Sequence, residues 1–393
     1  IEIRYTPART LTPGKEPRIW TKTKETHAIA AQVNVTPTEN CFAAEYNYPI
    51  FSVGLRYNLN HGTTMHRDTP WGEAQPVEYT SKLGNLLTLY GTFNRPIHRG
   101  RRWQWGYYLG TGIGYTALKY NRQNDIDNEY IGSHLNIFFT AGLYGQYQFA
   151  KEWSVKGGLD FAHHSNGAME RPNKGANYLG PFAGVVYEPD AQTTKAAKRN
   201  TAVTEPFQKY WFMELTLGIG GKTLLEEWLQ TQFGTPQGQP DYRKERFTLY
   251  GAYSFYAHLL YRYARCWASG LGFGIFYGDY ASRIAQLDET NGYTGEKHSP
   301  WSASIEARHE VYYGNLSARV SLGYYLYRHM GYKSHNGLEK PYHEQVGVFY
   351  SFPKLKGITL GFSVNAHATK ADFTELQITF PFRLRERGGH DRL

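Results

Sequence analysis

Apolar and polar residues alternate along this chain with a period of two. Between Ser133 and Phe149, the residues Leu135, Ile137, Phe139, Ala141, Leu143, Tyr147 and Phe149 share one parity. His134, Asn136, Thr140, Gly142, Gln146 and Gln148 share the other, interrupted by Phe138 and Tyr144. Successive side chains of a strand point to opposite faces, so the pattern predicts a two-faced strand. At about 17 residues it is longer than most soluble strands and long enough to cross a bilayer at a tilt. The pattern returns later. Leu316, Ala318, Val320, Leu322, Tyr324 and Leu326 oppose Ser317, Arg319, Ser321 and Gly323. Ile358, Leu360, Phe362 and Val364 oppose Thr359, Gly361, Ser363 and Asn365, and Leu376, Ile378, Phe380 and Phe382 oppose Glu375, Gln377 and Thr379. Alternation alone does not separate a sandwich, whose apolar face meets a core, from a barrel, whose apolar face meets lipid and whose polar face fills a lumen. Strand length favours the barrel.

Polar, turn-rich stretches separate the strands: Asn60–Pro76, Tyr120–Glu129, Pro189–Glu205, Gln230–Lys244, Ala281–Ser299 and Met330–Pro341. Tyr313-Gly314-Asn315 and Phe352-Pro353-Lys354 are tight connections. Long loops on one side and short turns on the other are the habit of membrane barrels. The fold expected is all-β, a transmembrane antiparallel β-barrel of about 14 strands, in the range of roughly 12 to 16. Residues 1–25 read as an N-terminal extension, 26–385 as a single barrel with parts 26–190 and 206–385, and 386–393 as a C-terminal tail. Pro189–Glu205 is long where a short turn is wanted and would also serve as a linker between two smaller barrels; the similar strands on both sides of it favour one.

Composition supports a barrel wall. Mean hydropathy is −0.57, and no apolar run of about 18 residues offers a membrane-spanning helix. Yet aromatics make up 16% of the 393 residues, with 33 Tyr and 41 Gly. Such a mix fits a wall in which every second residue meets lipid and aromatic girdles mark the interfaces. The chain begins at Ile1, read as a mature chain whose signal peptide has been removed. Cys41 and Cys266 are the two cysteines, and sequence leaves their pairing open. The formal charge of +9 suits a partner carrying phosphates. Nucleic acid is one such partner and a lipopolysaccharide surface another; the charges are scattered, which argues against a nucleic-acid patch.

The segment Trp153–Tyr187 carries the candidate chemistry. Trp153, Val155, Gly157, Leu159, Phe161, His163 and Ser165 share the apolar face of its first strand, so His163 and Ser165 project together at the strand end. A loop over Gly167–Gly175 leads to a second strand, where Asn177 lies on the same face as Leu179, Ala183 and Val185. A hairpin would bring Asn177 near His163, at the depth where the wall meets lipid headgroups. A lone His-x-Ser pair carries little weight; the downstream Asn-x-Gly-x-Asn adds to it.

The segment HHSNGAMERPNKGAN resembles the active-site stretch of the outer-membrane lipid A 3-O-deacylases of PagL type, grouped with the acyloxyacyl hydrolases. That family carries His-x-Ser-Asn, then an Asn before a Gly, then an acid fourteen residues after the His. His163, Ser165 and Asn166 match the first element, and Asn173 and Gly175 the second; the acid position falls on Asn177. The resemblance is close over about 25 residues and looser over Thr26–Tyr187. It stops before the C-terminal half, and the family's eight-stranded barrel is smaller than this chain.

The resemblance implies hydrolysis of an ester-linked acyl chain of lipid A in the bacterial outer membrane, with Ser165 as nucleophile and His163 as general base. Asn166 and Gly167 would supply backbone oxyanion donors, Asn173 would brace the loop, and Arg171 and Lys174 would hold lipid A phosphates. Such a mechanism calls for no metal or organic cofactor. The partner implied is lipid A or lipopolysaccharide within membrane lipid. Three readings of position 177 stay open: the amide suffices, Glu170 or Glu188 substitutes for the acid, or the barrel is inactive and serves transport, scaffolding or lipid binding. A soluble all-β carbohydrate-binding protein and a calcium-dependent deacylase barrel are further readings; no matching acidic cluster supports the latter. His164 and Asp160 fall on the opposite face and read as lumen residues. His367 reads as an unpaired rim residue, and Gly218–Gly221 lacks the following helix of a phosphate loop.

Overall fold

The computed structural model describes residues 1–12, 14, 16–38, 40–189 and 206–384. The expected 386–393 tail, and Pro189–Glu205 beyond Pro189, lie outside the described residues.

The alternation resolves into strands whose polar parity is buried and whose apolar parity is exposed. Leu322 is 61% exposed and Leu326 66%, while Arg319, on the other face of the same strand, is 2% exposed. A sandwich would show the opposite, so this is a barrel wall with a lumen of polar side chains. Phe138 and Tyr144, which interrupted the alternation, are buried inside. Among the described residues no helix is long and apolar enough to cross a membrane.

The strands close into two rings. The first is built from β1 (Glu2–Leu11), β2 (Thr21–Val35), β3 (Ile50–Leu59), β6 (Leu86–Arg99), β7 (Trp103–Tyr115), β8 (Leu135–Gln148), β9 (Trp153–Ser165) and β10 (Ala176–Tyr187). The short strands β4 (Thr63–Met65) and β5 (Ser81–Lys82) extend from β2. β1 pairs with both β2 and β10, which closes the ring. The second ring runs in chain order: β11 (Tyr210–Lys222), β12 (Tyr250–Ala264), β13 (Trp267–Gly278), β14 (His298–Tyr313), β15 (Leu316–Met330), β16 (Tyr342–Phe352), β17 (Ile358–His367) and β18 (Lys370–Arg383), with β18 back on β11.

The single barrel expected over 26–385 is therefore corrected to two eight-stranded barrels. Their sixteen strands fall within the expected range. Residues 1–25 are no extension, because β1 and the start of β2 are part of the wall. That strand was hidden by its charged inward residues Glu2 and Arg4 and by Pro7. The stretches expected as loops hold short helices: Ala281–Thr290, which buries Ile284 and Leu287, and Tyr332–His335. Gly218–Gly221 lies within β11. Cys41 and Cys266 are both free thiols.

Each lumen is filled by paired charges, as an eight-stranded barrel requires. In the first, Arg56 Nη1 donates to Asp160 Oδ2 at 2.6 Å and Lys156 Nζ to Glu2 Oε2 at 2.9 Å. His164 is also inside, 2.9 Å from Thr88 Oγ1, so both lumen expectations hold. In the second, Arg319 meets Glu214 and Glu310 at 3.2 Å each, and Glu375 Oε1 accepts from Tyr256, Gln345, Ser363, Asn365 and Gln377. His367 is not an unpaired rim residue: its Nε2 lies 2.9 Å from the Tyr325 hydroxyl. Pairing of this kind offsets the cost of taking charge out of water.

By contacts the chain divides into two units. Of the described residues, one comprises those of Ile1–Asn166, 170–189 and Glu227–Phe247. The other comprises Gly167–Met169, Pro206–Glu226 and 248–384.

Candidate active site

β9 pairs with β8 on one side and with β10 on the other. His163 stands opposite Phe139 and Asn177, and Ser165 opposite Ile137. Shared parity turns His163, Ser165 and Asn177 to the outer wall, half-buried among the exposed Leu135, Phe139 and Leu179. They sit where β9 ends and the loop to β10 begins.

The three side chains form a hydrogen-bonded line. His163 Nδ1 is 2.8 Å from Asn177 Oδ1, and His163 Nε2 is 2.8 Å from Ser165 Oγ. Asn177 Nδ2 donates to the Gly175 carbonyl at 3.3 Å. That bond turns the amide so that its oxygen faces the imidazole. An oxygen there accepts, so Nδ1 carries the ring proton and the Nε2 lone pair faces the serine hydroxyl. Asn177 thus sets ring orientation and tautomer. Being neutral, it lacks the charge that would stabilise an imidazolium.

The alternative acids are elsewhere. Glu170 is exposed and 3.2 Å from Lys119 Nζ, and Glu188 lies past the far end of β10.

Gly175 is required twice over. Its φ of +75° is left-handed, and a Cβ there would stand 2.6 Å from His163 Cε1. Gly175→Ala is expected to displace the ring and lower kcat by about 10²-fold, since misplacements of an ångström carry costs of that size. Steady-state kinetics on folded barrel checks this; a kcat within twofold of wild type would show that the ring has room.

The loop partners differ in part from expectation. Asn173 Oδ1 accepts the Asn166 N–H at 3.0 Å. That bond occupies the Asn166 N–H, so this amide is not the free oxyanion donor expected. The side-chain Nδ2 of Asn166 is buried and has no partner among the described residues. Gly167 follows at φ +62°. Neither expected phosphate ligand is an exposed cation: Arg171 is buried, and Lys174 Nζ lies 2.5 Å from Glu129 Oε2.

Sequence reasoning read Tyr120–Glu129, between β7 and β8, as a polar, turn-rich loop and missed its burial. Its acidic run, Asp125, Asp127 and Glu129, reads as solvated, yet all three are buried. Asn128 folds it, donating from Nδ2 to Asp125 Oδ2 at 2.7 Å and accepting from the Tyr130 and Ile131 N–H groups at 3.1 and 3.3 Å. Asp125 Oδ1 accepts the Lys82 N–H at 2.9 Å. Burial pushes the Asp125 carboxyl up to about 7, against 3.8 when free. Between those pH values the closed loop holds a proton that an open loop releases. Closure is therefore strongest below about pH 4 and weakens by an amount on the order of 4 kcal/mol as pH rises through 7. Hydrogen-exchange protection of residues 125–131, corrected for intrinsic rates, should fall over that window and lose this slope in Asp125→Asn.

Family models match both halves of the chain. A family model described as lipid A 3-O-deacylase (PagL) matches residues 45–185. A second, described as acyloxyacyl hydrolase, C-terminal domain, matches residues 211–384, the half to which the sequence resemblance did not extend. No curated protein matches the chain. Among solved structures, the outer membrane enzyme PagL is similar at 13% identity and a TM-score of 0.30, over 47% of this chain and 98% of that one. A BenF-like porin from Pseudomonas fluorescens Pf-5 is similar at 11% identity and a TM-score of 0.22, over 98% of this chain and 97% of that one. With family matches across the larger part of both barrels, the chain belongs to the lipid A 3-O-deacylase (PagL) and acyloxyacyl hydrolase family.

Proposed function

We propose that this protein is an outer-membrane lipid A deacylase in which Ser165 is the nucleophile and His163 the general base. The observation that carries the reading is the line Ser165–His163–Asn177 on the lipid-facing wall, with the Nε2 lone pair turned to the serine. Lipid A would lie against that wall, its headgroup level with the loops and its acyl chains along the strands. Along the same strands the outer wall from β6 to β9 holds a shallow groove of about 310 Å³ lined by Ile97, Trp105, Gly106, Leu143, Gly145, Gly158 and Leu159, among others. Glycines keep that stretch of wall low enough for a chain to settle on it.

Ser165 Oγ attacks the ester carbonyl while its proton passes to His163 Nε2. The C–O bond to the sugar then breaks, and His163 returns the proton to the departing sugar oxygen. A water, deprotonated by His163, cleaves the acyl-serine and releases a fatty acid.

The amide at 177 favours a second reading, a barrel that binds lipid A without cutting it. Mass spectrometry of lipid A from cells expressing the protein separates the two. Loss of one hydroxyacyl mass relative to empty-vector cells supports the hydrolase. An unchanged profile, with folded protein in the outer membrane, supports the binder.

A further inference from the structure

Residues Glu227–Phe247 follow β11 of the second barrel in sequence, yet they pack as part of the first unit. Their Phe233 carbonyl accepts the Glu73 N–H at 2.8 Å, and the Tyr242 hydroxyl accepts the Gln75 N–H at 3.1 Å. Gln232 Oε1 accepts from the Tyr120 hydroxyl at 3.0 Å, and Glu245 Oε1 from the Arg122 N–H at 2.5 Å. Four attachments to two different loops make this segment a strap across the end of the first barrel that carries Ser165.

A continuous set of contacts runs from the strap to the imidazole. The Phe233 ring lies 5.0 Å from the Arg67 guanidinium, and the Trp20 ring 4.5 Å from it, so Arg67 is held between two aromatic faces. Arg67 pairs with Glu129. Glu129 also takes Lys174 Nζ at 2.5 Å, and its carbonyl accepts the Lys174 N–H at 3.1 Å. The next carbonyl, of Tyr130, accepts the Gly175 N–H at 3.0 Å. Gly175 presses on the His163 ring, and its carbonyl orients Asn177. After the ring contacts of Arg67, every link is a charge pair, a hydrogen bond to backbone or a close backbone approach, so little slack separates the strap from the ring.

We infer that Phe233, Arg67 and Glu129 are positioning residues for the His163–Asn177 pair, and that the strap is the part of the C-terminal half that the acyl-ester chemistry depends on. This rests on the Ser165–His163 reading. Its physical basis is that a neutral Asn has only geometry with which to hold the imidazole. The backbone carrying Gly175 and Asn177 must then be fixed from outside the hairpin.

The test uses the full chain in detergent micelles with lipid A as substrate and active sites titrated with a fluorophosphonate. Phe233→Ala and Glu129→Gln are expected to lower kcat per titrated site by about 10- to 100-fold, with KM within about threefold. Phe233→Tyr, which keeps an aromatic face, is expected to restore kcat. A merely structural strap would instead reduce the amount of folded barrel and leave kcat per titrated site unchanged, which overturns the inference. If Phe233→Ala does not fold, Glu129→Gln decides alone. Ser165→Ala is run alongside: if it stays active, the serine reading fails and this inference with it. If Ser165→Ala is inactive and the strap variants match wild type, only this inference fails.

Discussion

Ser165→Ala should lower the rate of acyl release from lipid A by at least about 10⁴-fold, with substrate binding retained. The variant removes the one oxygen placed 2.8 Å from His163 Nε2 and touches little else, since Ser165 is a half-buried wall residue. His163→Ala should cost a comparable factor, because a serine hydroxyl without a base nearby is a weak nucleophile. The double variant should be no slower than either single one: the pair acts as a unit, and once one member is gone the other contributes nothing. Steady-state kinetics on micellar lipid A, with binding followed separately, checks all three. Near-normal turnover in Ser165→Ala would move the chemistry to another residue.

Asn177→Asp should raise kcat by about 10- to 100-fold. In serine proteases the reverse exchange, Asp to Asn, costs about 10⁴, but that figure includes holding the imidazole in the wrong tautomer. Here the Gly175 carbonyl already turns the amide the right way, so a carboxylate would add only charge opposite the forming imidazolium. It would also set a second anionic oxygen against that carbonyl, which keeps the gain below the full factor. Asn177→Leu should fall well below wild type by freeing the ring. If Asn177→Asp is slower than wild type, the site is built around the amide, and Asn177 is no weakened acid.

Much of the barrel and of the Ser165–His163–Asn177 line was legible because both rest on parity. Period-two alternation fixes which residues share a face. A hairpin whose two strands agree in parity brings His163 and Asn177 into register. What stayed hidden depends on long-range pairing. One ring or two is decided by whether β10 closes on β1, some 180 residues earlier, and no local pattern records that. Burial of Asp125, Asp127 and Glu129 was equally hidden. A run of acids in a loop looks solvated until Arg67 and Lys174, distant in sequence, pair with Asp127 and Glu129, and the Lys82 N–H and Asn128 bond Asp125. The oxyanion expectation at the Asn166 N–H failed for a local reason: the loop folds back, and Asn173 takes that donor first.

Each ring closes with its own first and last strands, so the stretch between Tyr187 and Tyr210 looks like the natural place to divide the gene. The membership of Glu227–Phe247 in the first unit says otherwise. A gene cut there would separate two complete walls but leave part of the first unit encoded with the second. Lineages that split at this point would inherit a first barrel missing a piece. Retention of the two barrels in one reading frame therefore needs no shared activity between them, only that borrowed segment.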